Sequence, residues 1–390
     1  MRYSWLLFWG ICFLVSCTGG NHSCMKWDAE YIFDLDTMQS VARCYQSSFY
    51  KDVRVVLLDT MAPPLMGIVK LQECDKKLYL LDGNNGLYVF DTLGRYLCQI
   101  GGVGDGPGEY REISDFVVDP IHKCIYVLES KIQAIYIYDA VSGNFLNSMK
   151  LDDENYRSRY ICYCNGCIFT DLYPKGKGNR LLRKVGMQSG EDDVLFGDRE
   201  KQNLEWPHVS GYSPFYQSKH DGFYFIPLFS QYVWEWNGDN LHPFVLFKSK
   251  DWMDMETVDR ALGNGFQELV AANRIYSLSL FSVNHRFMLF SYQQGNVLTY
   301  VWGNAEKKRM QKVRLLIDDV LFDRADDVCL PLRYSTTNFY GDYYYLQPWE
   351  VERWGKQMNP EKLPAALKEL LENKQGSEDM NPLILYYIYK

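Results

Sequence analysis

Hydrophobic positions along the chain fall into short, aromatic-rich runs that end in an acid or a glycine-containing turn. One stretch reads Leu78-Tyr79-Leu80-Leu81-Asp82, Leu87-Tyr88-Val89-Phe90-Asp91 and Gly94-Arg95-Tyr96-Leu97. Another reads Ile125-Tyr126-Val127-Leu128-Glu129, Ile135-Tyr136-Ile137-Tyr138-Asp139 and Gly143-Asn144-Phe145-Leu146. The offsets are 47, 48 and 49 residues, so one module is used twice with single-residue insertions in its turns. Weaker copies of its first run place further centres at Ile168, Tyr224, Met288 and Tyr344. Six units at a spacing of 42 to 64 residues, each with several short strands, predict the blades of a propeller. A four-stranded blade cannot bury both faces alone. Radial stacking buries them, and large aromatic side chains fill the widening gap. The expected fold is therefore an all-β, six-bladed β-propeller.

An open ring would leave sheet edges unpaired. Apolar strands at Val53 to Leu58 and Leu383 to Tyr389 predict that one blade combines strands from both termini. Residues 251–274 read as one or two short helices, with Asp251 or Asp254 as cap and Val258, Leu262, Phe266, Leu269 and Val270 on one side. Asn359-Pro360 is read as opening a second helix, with Leu363, Leu367, Leu370 and Leu371 at helical spacing. Both stripes are expected to pack against the propeller.

At the N-terminus, Trp5 to Val15 is an apolar run of eleven, short of the roughly 20 residues a spanning helix needs. It fits the hydrophobic region of a secretory signal. The run ends in Leu14-Val15-Ser16-Cys17, which resembles a bacterial lipobox with Cys17 as the acylated residue. This divides the chain into a lipoprotein signal peptide at 1–16, a lipid-anchored tether at 17–29 and the propeller at 30–390. The address is the bacterial cell envelope, at the outer membrane, with the membrane contacted through lipid. A plain signal peptide, or an apolar first strand with an incidental Cys17, is the alternative.

Composition sharpens the exclusions. At 47% apolar and 23% charged residues, the chain is no disordered polymer. The net charge of −8, with Lys and Arg scattered, lacks the footprint of a nucleic-acid binder. Eleven cysteines include the cluster Cys162-Tyr163-Cys164-Asn165-Gly166-Cys167. A disulfide, buried thiols or a zinc site with Asp171 all remain open there.

Directly after Gly94-Arg95-Tyr96-Leu97 comes Ile100-Gly101-Gly102-Val103-Gly104-Asp105-Gly106-Pro107-Gly108-Glu109-Tyr110. This segment resembles the IG-x-x-G-x-GPGE-[FY] motif of the six-bladed β-propeller lipoproteins of the Bacteroidetes type, which are themselves similar to NHL-repeat propellers. The resemblance implies the fold and the address far more than a function. A dinucleotide cradle needs a third glycine where this chain has Pro107 or Glu109, and the stretch from Ile113 to Val118 reads as strand rather than helix. The glycines instead suit a crossover between blades, where positive φ and close approach are needed.

In an antiparallel blade, the turn between the second and third strands and the crossover to the next blade share one end. That end is expected to carry Asp82, Glu129 and Asp171, the crossover residues Glu109 and Arg111, the insertion bearing Trp206 and Tyr212, and the 251–274 segment. Elaborated loops over a rigid scaffold are where binding concentrates, so this rim is the candidate binding face. Each acid has a plainer role in capping its own turn, and Glu109 and Arg111 one in joining blades. Alternation in Tyr232-Val233-Trp234-Glu235-Trp236 favours packing over a stacking platform. No nucleophile elbow and no histidine metal spacing occurs. The expected function is a non-catalytic scaffold for a protein, peptide or glycan, without a cofactor. Ca²⁺ or another divalent cation at the acidic positions is the alternative. The rival function, implied by propellers related to NHL repeats, is a divalent-metal-dependent hydrolase or lyase centred on the channel.

Overall fold

The computed structural model describes residues 28–151, 156–174, 181–186, 192–197, 213–218, 222–254, 256–258, 260, 266–284, 287–322, 334–338, 340–373 and 380–390. Six antiparallel sheets form the blades of a propeller. Blade I comprises Ile68–Cys74, Lys77–Asp82, Leu87–Asp91 and Tyr96–Ile100. Blade II follows with Asp115–Asp119, Cys124–Glu129, Ala134–Asp139 and Phe145–Lys150. Blade III is built from Ile161–Cys164, Cys167–Pro174, Leu181–Gly186 and Asp192–Gly197. Blade IV uses Phe215–Gln217, Phe223–Phe225, Tyr232–Trp236 and Leu241–Lys248. Blade V uses Ile275–Val283, Met288–Gln294, Val297–Asn304 and Arg309–Ile317. Blade VI joins Tyr334–Asn338, Gly341–Leu346 and Leu383–Tyr389 to Tyr50–Leu57 from the other end of the chain. The repeat centres 79, 126, 168, 224, 288 and 344 all fall in the second strand of a blade.

Turn chemistry explains why the module repeats. Asp91 ends the third strand of blade I, and its Oδ1 accepts from the N–H groups of Leu93 and Arg95, both at 2.9 Å. Asp139 does the same in blade II for Val141 and Ser142. Each turn then needs the left-handed region, which Gly94 (φ 89°) and Gly143 (φ 74°) supply without a Cβ penalty.

Burial is organised as six apolar wedges, one at each junction between blades. Tyr79, Val89, Phe116 and Tyr138 fill the wedge between blades I and II. Phe169, Phe223, Trp234 and Trp236 fill that between III and IV. Tyr216 and Tyr224 pack with Phe281 and Phe290 between IV and V. Tyr216, Tyr232, Trp234 and Trp236 are thus packing residues. The innermost strands add polar ties. Asp115 of blade II accepts from Lys70 Nζ of blade I at 2.6 Å and from the Ile161 N–H of blade III at 2.9 Å, bridging three blades.

The N-terminal segment laces the outside of the ring. Tyr31–Asp34 adds in parallel to the outer strand of blade IV, with Tyr31 opposite Val245. Ser40–Tyr45 adds in parallel to that of blade V, with Val41 opposite Val313. Tyr50–Leu57 then pairs antiparallel with Leu383–Tyr389 to complete blade VI. Strands from both termini do close one blade. A buried polar network locks that closure: the Tyr389 hydroxyl donates to Asp342 at 2.6 Å, Tyr50 donates to the same carboxylate, and Tyr387 donates to Asp318.

The helical segments differ in detail from the sequence pattern. Asp254 caps the first, accepting from the Thr257 N–H at 2.8 Å, and Phe266–Ala271 is helical. Val258 and Leu269 bury against Phe229, Met253 and Tyr276. Asn359-Pro360 opens only a single 3₁₀ turn, Pro360–Lys362, because Pro364 follows too soon for a continuous helix; Ala365–Asn373 forms separately. Leu363 and Leu367 still bury against the junction of blades V and VI. Pro348–Trp354 is a further helix, begun by Pro348 in its first turn and by Glu350, which accepts from the Gln347 N–H at 2.8 Å.

Candidate functional site

The end of the propeller that carries the crossovers is built by one repeated device. At Asp82, Oδ1 accepts from the Gly67 N–H at 3.0 Å and Oδ2 from the Asn84 N–H at 2.9 Å. Glu129 accepts from the Arg111 N–H at 3.3 Å. Asp171 accepts from the N–H groups of Arg159 and Tyr160 at 3.0 and 2.7 Å. In each of blades I to III, an acid in the second strand therefore staples the incoming crossover to its own blade. The three residues are only 2, 1 and 2% exposed. Asp171 differs slightly from the expected pattern, since its strand runs on to Pro174 instead of ending at the acid.

The glycine-rich crossover from blade I to blade II closes on itself. Gly102–Val103 pairs in parallel with Glu109–Tyr110. The Glu109 carboxylate folds back over its own loop, still exposed to solvent, and accepts from the Gly106 N–H at 2.8 Å. A Cβ on Gly104 would stand 2.0 Å from Glu109 Oε2, so glycine is what admits the carboxylate. The carboxylate thus occupies the Gly106 N–H that a bound anion would use. Tyr110 is buried and donates to the Ile100 carbonyl at 2.8 Å, while Tyr138 donates to that of Gly108 at 3.0 Å. Arg111 points outward, with Nε 2.6 Å from Asp105 Oδ1 and both side chains exposed. Trp206 and Tyr212 lie outside the described residues.

Sequence reasoning missed a third contributor to this rim. The connection between the second and third strands of blade VI carries the Pro348–Trp354 helix, with Trp349 half exposed. It meets the crossover from blade VI to blade I: a Cβ on Gly67 would lie 2.8 Å from Gln347 Nε2, and Asn381 accepts from the Leu65 N–H at 2.9 Å. Met61, Met66 and Val69 are exposed on that crossover and the strand it leads into, and Val103 and Ile132 on the neighbouring connections. The rim over blades VI, I and II thus combines exposed methionine, tryptophan and branched side chains with the Arg111–Asp105 pair. Such a surface offers apolar contact with adaptable side chains.

Elsewhere, burial works against thiol reactivity. The seven described cysteines are not joined to one another by disulfides. Burial pushes the Cys162 thiol up to about 12 and those of Cys44 and Cys74 to about 11. Cys162, Cys164 and Cys167 pack against the aromatic wedge between blades III and IV. Among the described residues, one group of His, Cys, Asp or Glu side chains converges closely enough to hold a metal ion. It lies on blade IV and contains none of these cysteines, nor Asp82, Glu129 or Asp171.

Residues 30–388, nearly the whole propeller, match the family described as Domain of unknown function DUF4934. The chain belongs to the DUF4934 family. No curated protein matches it in sequence. Two solved structures resemble this DUF4934 chain across the whole ring. The protein BF0058 of Bacteroides fragilis NCTC 9343, described as exported, shares 18% identity at a TM-score of 0.67, covering 92% of this chain and 99% of that one. A DUF4221 member from Bacteroides vulgatus ATCC 8482 shares 11% identity at a TM-score of 0.51, covering 87% and 96%. At these identities the likeness establishes the shared fold. Among the described residues of the DUF4934 chain, no helix is long and apolar enough to cross a membrane.

Proposed function

We propose that this DUF4934 chain is a lipid-anchored, NHL-like propeller of the bacterial cell envelope that docks a protein partner on its crossover rim without catalysis. Cys17 carries the lipid and residues 17–29 form the tether from the outer membrane. The reading rests chiefly on one observation: Met61, Met66, Val103, Ile132 and Trp349 are exposed on connections at one end of blades VI, I and II, and Val69 is exposed where the first strand of blade I begins. Grouped exposed apolar side chains on rigidly held loops mark interaction surfaces. Asp82, Glu129 and Asp171 shape that surface by fixing its loops, while Arg111 and the outer face of the Glu109 loop supply its polar edge. Trp206 and Tyr212 are the residues through which a glycan or an extended peptide would engage instead.

The test places a photo-crosslinking residue at Met66 or Trp349, and at Val141 on an outer turn as control, in cells of the source organism. A discrete adduct from the first two and none from Val141 supports the reading. Equal labelling at all three, or adducts at none, rejects it. Labelling with a clickable fatty acid checks the anchor, and its loss in Cys17→Ser is the required result.

A further inference from the structure

Where the chain joins the propeller, Glu30 meets Glu235 and His242, and their ligand atoms all lie within 4.8 Å of one another. Glu235 and His242 are direct cross-strand partners in the third and fourth strands of blade IV, so the sheet itself presents their side chains on one face. Glu30 comes from the residue ahead of the parallel strand Tyr31–Asp34 that is added to the same sheet. Glu235 is buried, whereas the His242 side chain is 37% exposed and Glu30 is open to solvent.

Each carboxylate has a supporting donor. The Ser218 hydroxyl donates to Glu235 Oε1 at 2.6 Å, which leaves Oε2 facing His242 Nε2 at 3.4 Å. The Tyr31 hydroxyl donates to the Glu30 carboxylate. Such outer partners orient ligating carboxylates in metal sites. Two carboxylates held this close repel one another, and a cation between them removes that cost. One imidazole nitrogen with two carboxylate oxygens matches a zinc-class ion, whereas Ca²⁺ and Mg²⁺ favour all-oxygen shells. The serine is no nucleophile in this arrangement, since it bonds the glutamate and not the histidine.

We propose that Glu30, Glu235 and His242 bind a divalent ion of the zinc class, which clamps the N-terminal strand onto blade IV. Three protein ligands leave a fourth position for water. The ion ties the segment entering the ring to two strands some two hundred residues further along the chain. It is a cross-link at the base of the tether.

The test uses the purified full chain, stripped with a chelator and titrated with Co²⁺, whose visible spectrum distinguishes nitrogen and oxygen ligation from thiolate ligation. Saturable, stoichiometric uptake with a nitrogen–oxygen spectrum is expected. Glu30→Gln and His242→Ala, both changes at accessible positions, should each weaken uptake by about tenfold or more. Zn²⁺ should also slow amide exchange of residues 31–34 in the parent chain and leave it unchanged in the variants. Uptake unaffected by either substitution, a thiolate spectrum, equal preference for Ca²⁺, or no saturable uptake overturns the proposal. In the last case the cluster is a surface histidine–carboxylate pair.

Discussion

Asp318 is fully buried beside the closing blade, and replacing it with asparagine tests how that closure is held. Burial pushes its carboxyl up to about 6, against the downward pull of the Tyr387 hydroxyl and of the Leu321 and Val320 N–H groups at 3.0 and 3.1 Å. The gap from the ordinary value near 3.8 corresponds to about 3 kcal/mol. A carboxyl raised in the folded state binds its proton more tightly there than in the unfolded chain. Its contribution is therefore present below about pH 4 and lost as pH rises through about 6. Asp318→Asn keeps Oδ1 as the acceptor for both backbone N–H groups, and the Tyr387 hydroxyl can turn to accept from the new amide. The expected result is a variant up to about 3 kcal/mol more stable than the parent at pH 7 to 8, less about 1 kcal/mol for the weaker neutral hydrogen bonds. The difference should shrink towards pH 4. Urea denaturation of both proteins across that pH range measures it. A variant less stable at pH 8, with a difference that does not change with pH, would refute the reasoning.

Deleting residues 383–390 removes six buried side chains of the closing strand, worth about 2 kcal/mol each, which rivals the whole stability of a typical domain; calorimetry should show no cooperative transition, and an unchanged melting temperature would contradict the closure. Lys70→Met leaves Asp115 buried without its cation and should cost about 3 kcal/mol in chemical denaturation, recovered when Asp115→Asn is added; a loss under about 1 kcal/mol would show that the three-blade tie carries little. Gly108→Ala forces a positive φ of 76° on alanine and sets a Cβ 2.4 Å from that of Phe145, so stability should fall by more than about 1 kcal/mol. Gly102→Ala, with nothing within 4 Å, should change it little; equal effects would mean that the crossover is looser than described.

The ring was readable because blades I and II share their turn chemistry, and Asp91 with Gly94 and Asp139 with Gly143 act within five residues of each other. Tyr31–Asp34 and Ser40–Tyr45 carried no such signal. They are short and partly exposed, and their partners, such as Val245 and Val313, lie about two hundred residues or more away. The three repeated acids stood out in the sequence, but whether they face water or backbone N–H is decided by crossovers folding over them. Glu109 is similar, since its turn back onto its own loop depends on the missing side chain of Gly104. Glu30, Glu235 and His242 meet only because an N-terminal strand is laid against blade IV, and no spacing rule links them. The Pro348–Trp354 helix, by contrast, announced itself through Pro348 and Glu350, and reading the hydrophobic stripe alone passed over it.

The lace also fixes the order in which the molecule can be completed. Leu57 pairs with Leu383 and Tyr50 with Tyr389, so the first strands synthesised are the last to find their places. Tyr31–Asp34 and Ser40–Tyr45 wait for blades IV and V, and Tyr50–Leu57 waits for the final residues. Until then they are bare edges with open backbone groups, able to pair with any passing strand. Those edges stay open for as long as the C-terminal strand is unmade.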